Sequence, residues 1–254
     1  METFSILGTG WLGYALADEI KDKYKLKVSI KDKSKEEKFF NEKLSPFLLN
    51  EDNLNSLDDL LETDYLFINF PPSKFENYTN FLNEIYTHKK ISNIKKIIFI
   101  SSTSIYPDIN SIFTEESTLV NSKSPKVYKA EVIVKDKTDL ILRCSGLMGY
   151  NRIAGKRSSS KLVNDKDIKV NYIHRDDVIS ATIFAINNNI NGIFNLSVNE
   201  HPTKEEIYLF NSKKYGFEKS IFKDEKGLKN RIIDGKKIES FGFKYKYSNP
   251  FDFI

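Results

Sequence analysis

Cysteine is nearly missing from this chain: Cys144 is the single one in 254 residues. No internal disulfide can form, and no thiolate cage can hold a metal. The three histidines, His88, His174 and His201, lie far apart in sequence, so no metal-ligand spacing is present and no metal is expected. Arginine is scarce too, with five among the 39 basic residues, which leaves few bidentate phosphate clamps. Basic residues exceed acidic ones only by 39 to 35, and the two signs are mixed. That balance lacks the basic stripe by which nucleic-acid binders neutralise phosphates; the lysines read as solvated surface. No run approaches the ~20 apolar residues of a membrane span, and no basic segment leads into an apolar one at the start. The expected protein is cytoplasmic and binds neither nucleic acid nor membrane.

What is present is an ordinary globular composition, 40% hydrophobic and 29% charged. At this length folding removes roughly three quarters of the unfolded chain's surface, enough for a sizeable core. Phe4–Leu7 is a short apolar run that leads at once into Gly8-Thr-Gly10-Trp-Leu-Gly13, after which Leu12, Ala15, Leu16 and Ile20 recur at helical spacing. Further strands are expected at Lys27–Ile30, Tyr65–Ile68, Ile97–Ile100, Leu140–Leu142, Val170–Ile173 and Gly192–Leu196. Helices are expected at Glu51–Glu62, around Phe75–Ile85, and at Asp176–Ile186. Strands alternating with helices imply a parallel sheet with right-handed crossovers. The expected fold is α/β, a Rossmann-type doubly wound parallel sheet. Its core spans residues 1–199 with a loop insertion at about 150–169, and a small C-terminal lobe spans 200–254.

Gly8, Gly10 and Gly13 have separate tasks in such a fold. The first permits the tight turn, the second admits a pyrophosphate to the backbone, and the third lets helix and strand pack closely. The helix that starts near Trp11 and Leu12 then points free N–H groups and its positive end at the phosphates. Asp32 follows nineteen residues after Gly13, where a carboxylate accepts from the adenine-ribose hydroxyls. It favours NAD, since it repels the extra phosphate of NADP; Lys31 and Lys33 argue the other way, because either can pair with that phosphate. The expected cofactor is NAD(P), with NAD slightly favoured.

On these residues the chain resembles the extended or atypical branch of the short-chain dehydrogenase/reductase superfamily, near the NAD-dependent epimerase/dehydratase proteins. The matching pieces are Gly8–Gly13, Asn69-Phe-Pro-Pro72, Ser101-Ser-Thr-Ser-Ile-Tyr106, Leu142–Gly149, Ile173–Asp177 and Gly192-Ile-Phe-Asn195, which run in the family's order over roughly residues 3–200. The resemblance implies a dinucleotide across the strand ends, touched by Asn69, Pro71 and Ser101 as well as the glycine turn. It implies a small-molecule substrate held against the C-terminal lobe, and a homodimer. It also assigns Ser102 to catalysis, through a hydrogen bond to a substrate oxygen while a neighbouring group moves the proton.

The family's Tyr-x-x-x-Lys pair is absent. A phenol has a pKa of about 10, so roughly one part in a thousand is ionised at pH 7, and a lysine one helical turn later lowers that value. Tyr128 is the nearest candidate, but four residues on stands Val132; Lys129 points about 100° away around a helix, and Glu131 acts in the wrong direction. Matching instead on Ala130-Glu131, which resembles the end of the family's helix, puts Lys123 and Val127 in the two positions. Tyr106 and His174 are the other candidate acids, the latter because its unperturbed pKa lies near neutrality. Arg143 and Arg152 are candidate ligands for a substrate carboxylate or phosphate, although Arg143 can equally brace the fold against Asp176 or Asp177. Arg152, Lys156, Arg157 and Lys161 make the loop of residues 150–166 locally positive. An NAD(P)-dependent oxidoreductase or epimerase-like enzyme acting on a small anionic, sugar-related substrate is expected. A cofactor-binding sensor without turnover is the alternative, since the pair is missing.

Overall fold

Apolar, β-branched runs become strands because their side chains fill both faces of a covered sheet. The computed structural model describes residues 1–120, 122–224 and 230–253. The chain opens with β1 (Thr3–Leu7), α1 (Trp11–Ile20), β2 (Lys25–Ile30), α2 (Glu36–Asn41) and β3 (Ser45–Leu48). Next come α3 (Leu57–Leu61), β4 (Tyr65–Ile68), α4 (Tyr78–Thr87), β5 (Lys96–Ser102), β6 (Ser111–Phe113) and α5 (Pro125–Val134). They are followed by β7 (Leu140–Cys144), β8 (Gly146–Met148), β9 (Leu162–Val163), β10 (Tyr172–His174), α6 (Arg175–Asn187) and β11 (Gly192–Leu196). The last described elements are α7 (Lys204–Tyr215), β12 (Ile221–Phe222), β13 (Arg231–Ile233) and α8 (Lys236–Ser240). No described helix is long and apolar enough to cross a membrane.

Seven strands form one sheet in the order β11-β7-β5-β4-β1-β2-β3, flanked by helices, which is the Rossmann-type α/β arrangement the sequence predicts. β1 pairs in parallel with β2 and β4, β2 with β3, and β4 with β5. The seventh strand is not the expected one. Val170–Ile173 yields β10, which pairs with β8 in a separate two-stranded ladder. The edge position belongs instead to β3, whose Pro46 makes it read as a turn. Proline is tolerated there because an edge strand has one side free of ladder bonds. The helix expected over Glu51–Glu62 shrinks to α3. Asn50 and Asn53 exchange backbone hydrogen bonds at 3.2 Å, and the Asn53 side chain accepts from the N–H of Asn55 at 3.1 Å. Such local side-chain bonds compete with the helix.

The chain divides into two compact units that interleave in sequence. The first comprises Met1–Ser101, Ser124–Leu142 and Thr182–Ile193; the second comprises Ser102–Lys123, Arg143–Ala181 and the chain from Phe194 onward. The boundaries fall at the end of β5, just before α5, within β7, within α6 and within β11. The residues of the expected 150–169 insertion all belong to the second unit, and they include β9. Residues 225–229 and 254 of the expected C-terminal lobe lie outside the described residues. The first unit has one continuous core in which Leu7, Leu60, Leu66, Ile68, Leu82 and Ile85 are wholly buried. Each such side chain contributes about 1.5–3 kcal/mol on leaving water. That packing holds the ends of β1, β2 and β4, where the candidate site begins.

Candidate functional site

β1 ends against the turn at Gly8, whose φ is +95°, a conformation that favours glycine. A Cβ there would lie 2.4 Å from the carbonyl oxygen of Asn69, so strand β4 can run this close only because Gly8 has no side chain. The Gly8 N–H donates to Ser29 Oγ at 2.8 Å, and its carbonyl accepts from the Gly10 N–H at 2.8 Å. Gly13 meets the same turn from the helix side: a Cβ on it would sit 2.4 Å from the Gly8 carbonyl oxygen and 3.1 Å from Ile6 Cγ2. Gly10 differs, since a Cβ there meets no described atom within 4 Å. It is also the N-cap of α1, which has no side-chain cap and no acidic residue in its first turn. Open backbone at the positive end of a ten-residue helix fits a pyrophosphate. Leu12 is buried in the core, so only its backbone faces the helix end; Trp11 is half-buried.

Asp32 and Lys33 stand just beyond β2, both exposed. The Asp32 carboxylate accepts from the Ser34 N–H at 3.1 Å and from the Ser34 hydroxyl, capping the 3-10 turn of Lys33–Lys35. At the end of β4 the Asn69 N–H donates to the Leu7 carbonyl at 2.8 Å, and exposed Pro71 starts the next turn. Ser101, near the end of β5, is buried and donates through Oγ to Glu131 Oε2 at 2.7 Å. That bond, inside the first unit, ties α5 to β5 and singles out Glu131 as a buried carboxylate whose role the sequence left unrecognised. Tyr128 and Val132 lie one turn apart on α5, 40% and 47% exposed. The place one turn after this phenol therefore holds an exposed valine. In the other register Lys123 precedes the helix and Val127 is buried.

In the second unit, Ser102 keeps its hydroxyl half-exposed, accepting from the Ser104 N–H at 3.1 Å and lying 3.0 Å from Ser104 Oγ. Tyr106 is enclosed. Its OH donates to Asn195 Oδ1 at 2.7 Å and accepts from Arg143 Nη1 at 2.8 Å, and its ring is fully buried. Burial pushes the phenol up, against the opposing charge of Arg143. Glu115 joins the same network, accepting the Asn195 N–H at 2.6 Å, and burial raises its carboxyl pKa as well. Tyr106, expected as an acid, and Arg143, expected as a substrate ligand, thus lie in one hydrogen-bonded network. Both are buried and spend their polar atoms on each other. Asp177 is buried and accepts the N–H groups of Lys246 and Tyr247 at 2.7 and 3.1 Å.

His174 is likewise enclosed. It is fully buried, with Nδ1 accepting the Asp176 N–H at 3.2 Å and its ring 3.8 Å from that of Tyr247. Gly149, at φ +115°, leaves space for it: a Cβ there would lie 2.3 Å from His174 Nε2. Arg152 is exposed and borders a cleft with Gly149, Tyr172, Asn211 and Phe253. Partial burial and, after it, the neighbouring charge of Arg157 lower its pKa.

No protein-family model matches the chain. Among curated proteins it is similar to Protein YeeZ of Escherichia coli strain K12, 28% identical over 272 residues that cover 98% of each chain. Among solved structures it is similar to a UDP-N-acetylglucosamine 4-epimerase from Methanobrevibacter ruminantium M1 in complex with UDP-N-acetylmuramic acid. There the TM-score is 0.79 at 18% identity, over 96% of this chain and 93% of the other. A putative NAD-dependent epimerase/dehydratase from Methylobacillus flagellatus gives a TM-score of 0.77 at 15% identity, over 97% and 94%. At such identities the likeness establishes the fold alone, the Rossmann-type α/β arrangement described above.

Proposed function

We propose that the chain is an NAD(P)-dependent oxidoreductase or epimerase-like enzyme acting on a small anionic, sugar-related substrate, with NAD preferred. The observation that carries this is the glycine turn. Two of its glycines are crowded to 2.4 Å by backbone, while the third opens onto an uncapped helix end. Gly8, Gly10 and Gly13 would hold the pyrophosphate, with the backbone of Trp11 and Leu12. Asp32, held in place by Ser34, would take the adenine ribose, and Asn69 and Pro71 lie along the neighbouring strand end. A bound nicotinamide supplies a hydride acceptor. Of the chain's own residues, Ser102 has an accessible hydroxyl to orient a carbonyl or alcohol, and Arg152 has an accessible guanidinium for an anionic group. The proton carrier is Tyr128, acting without a lysine one turn later. The names of the solved relatives, epimerases and an epimerase/dehydratase, support this reading.

Calorimetric titration of nucleotide-stripped protein tests it. NADH should bind at micromolar concentration and NADPH more weakly; binding of neither overturns the proposal. A second reading, a cofactor-binding protein without turnover, is favoured by the exposed Val132 beside Tyr128. It is abandoned if hydride exchange occurs reproducibly with any member of a panel of carbonyl compounds and sugar nucleotides.

A further inference from the structure

The cleft that Arg152 borders encloses about 10 Å³, room for about one water molecule. No carboxylate or phosphate group fits a space of that size. One stretch of chain, residues 246–253, takes up the room: its buried Pro250 and Phe253 line the cleft beside Tyr172, Ile207 and Asn211. Cleft and stretch both belong to the second unit. The stretch contains no strand and no α-helix, only the 3-10 turn Pro250–Asp252, capped by Asn249, which accepts the Phe251 N–H at 3.0 Å. Its backbone–backbone hydrogen bonds are internal, from the Asp252 N–H to the Asn249 carbonyl at 3.0 Å and from the Phe253 N–H to the Pro250 carbonyl at 3.4 Å. Among the described residues, the hydrogen bonds that tie it to the rest of the unit therefore run through side chains. Asp177 holds one end by accepting the N–H groups of Lys246 and Tyr247. At the other end Tyr215 OH donates to the Phe253 carbonyl at 2.7 Å, and Lys214 Nζ to the carbonyls of Phe251 and Phe253 at 3.2 and 3.4 Å. Ring contacts complete the attachment. The ring centre of Tyr247 lies 3.8 Å and that of Phe253 5.3 Å from His174, and that of Phe251 lies 4.9 Å from Phe210.

A strand is released only when its ladder breaks, whereas a segment pinned by a few side chains opens on its own. Such openings lie at the low end of the stability scale within one protein. We propose that residues 246–253 are a strap that closes the Arg152 cleft and lifts to admit the anionic group of the substrate. Asp177 is the anchor of the strap and Tyr215 its latch. Closed, the strap keeps Phe253 in the space the ligand needs. Open, it leaves a cleft walled by Tyr172, Ile207 and Tyr215, with Arg152 at the rim. The measured affinity for an anion is then the intrinsic affinity multiplied by the open fraction. The strap rests on the function proposed above for one point only, that the anion belongs to the substrate.

The experiment combines amide hydrogen exchange with a calorimetric titration of malonate, a small dianion, into the full chain at low ionic strength. In wild-type protein the amides of Lys246 and Tyr247 should exchange at a rate that low urea does not change, while those of β8 and β10 respond to urea. Tyr215→Phe removes one hydroxyl from the latch. It should speed exchange at Lys246 and Tyr247 and tighten malonate, both by about three- to tenfold, the scale of one lost hydrogen bond. Damage to the fold does not produce a gain in affinity. Phe253→Ala, which takes the ring out of the cleft, should tighten malonate further, and Arg152→Gln should abolish binding in every background. Saturating malonate should speed exchange at Lys246 and Tyr247, since it binds the open form. Strap amides that exchange only with global unfolding, malonate that slows their exchange, unchanged affinity in Tyr215→Phe, or no malonate binding in any of these proteins overturns the strap. If Phe253→Ala fails to fold, Tyr215→Phe decides the matter. Protein that binds NADH but lacks the local opening loses only the strap. Protein that shows the opening and the variant pattern but binds no NADH loses the enzyme reading and keeps the strap.

Discussion

The glycine turn and the Tyr106 network use their special residues in opposite ways. In the turn the distinctive positions carry no side chain, lie within six residues of one another, and leave backbone exposed at Gly10. In the network the distinctive positions carry long polar side chains, come from separate stretches of chain, and bond to one another, with Tyr106, Arg143 and Asn195 buried and Glu115 half-buried. The first region offers unspent hydrogen-bonding capacity, whereas the second has used its own. A tyrosine, an arginine, an asparagine and a glutamate gathered in one place look like catalytic equipment, but what counts is how many of their donors and acceptors remain available.

Substitutions within each region sharpen this contrast. The largest effect is expected for Gly13→Ala, whose new methyl would meet the Gly8 carbonyl oxygen at 2.4 Å. Overpacking of that kind should cost about 2–3 kcal/mol in a urea titration and abolish NADH binding. Gly10→Ala has open space around it, so it should cost less than about 1 kcal/mol while still weakening NADH in calorimetry. If Gly10→Ala leaves NADH affinity intact, the distinction between crowded and open glycines has no functional meaning.

Ser102 and Tyr106 make the next test, because they sit four residues apart in opposite conditions. Ser102→Ala should lower turnover by ~10²-fold with little change in stability. Tyr106→Phe strands the partners of its hydroxyl, Asn195 Oδ1 and Arg143 Nη1. It should therefore lower stability by about 1–3 kcal/mol while turnover per folded molecule stays constant. The reverse pattern would return Tyr106 to the chemistry. The smallest effect concerns Glu115. Burial raises its carboxyl pKa in the folded protein, so its contribution is fully present below the unfolded value of about 4.3 and is lost as pH rises through the folded value. Glu115→Gln keeps an acceptor for the Asn195 N–H. In chemical denaturation the variant should match or exceed wild type near pH 7, and that advantage should vanish below about pH 4. A variant less stable than wild type at pH 7 would mean that the charged carboxylate itself is needed.

How much of this the sequence disclosed follows the distance over which each feature is decided. The turn from Gly8 to Gly13 was legible because one short spacing determines both its shape and its exposure. β3 was not, because Pro46 is acceptable only once Ser45–Leu48 is known to be an edge strand. The burial of Tyr106 and His174 was not legible either, for the same physical reason. Their burial depends on partners such as Asn195, 89 positions away from Tyr106, and Tyr247, which no local pattern reveals. The missing lysine after Tyr128 was visible at once, whereas the bond from Ser101 to Glu131 emerged only when β5 and α5 were packed together.

The interleaving of the two units has a consequence for how this protein can be taken apart. The backbone crosses from one unit to the other at five places, at residues 101/102, 123/124, 142/143, 181/182 and 193/194. No contiguous fragment contains one unit whole without also carrying part of the other. A cut at any one of these crossings leaves segments of one unit on both sides of it, so the two units cannot be exchanged between relatives as cassettes. Recombination would have to respect all five junctions together, and change in the second unit is therefore expected to proceed residue by residue.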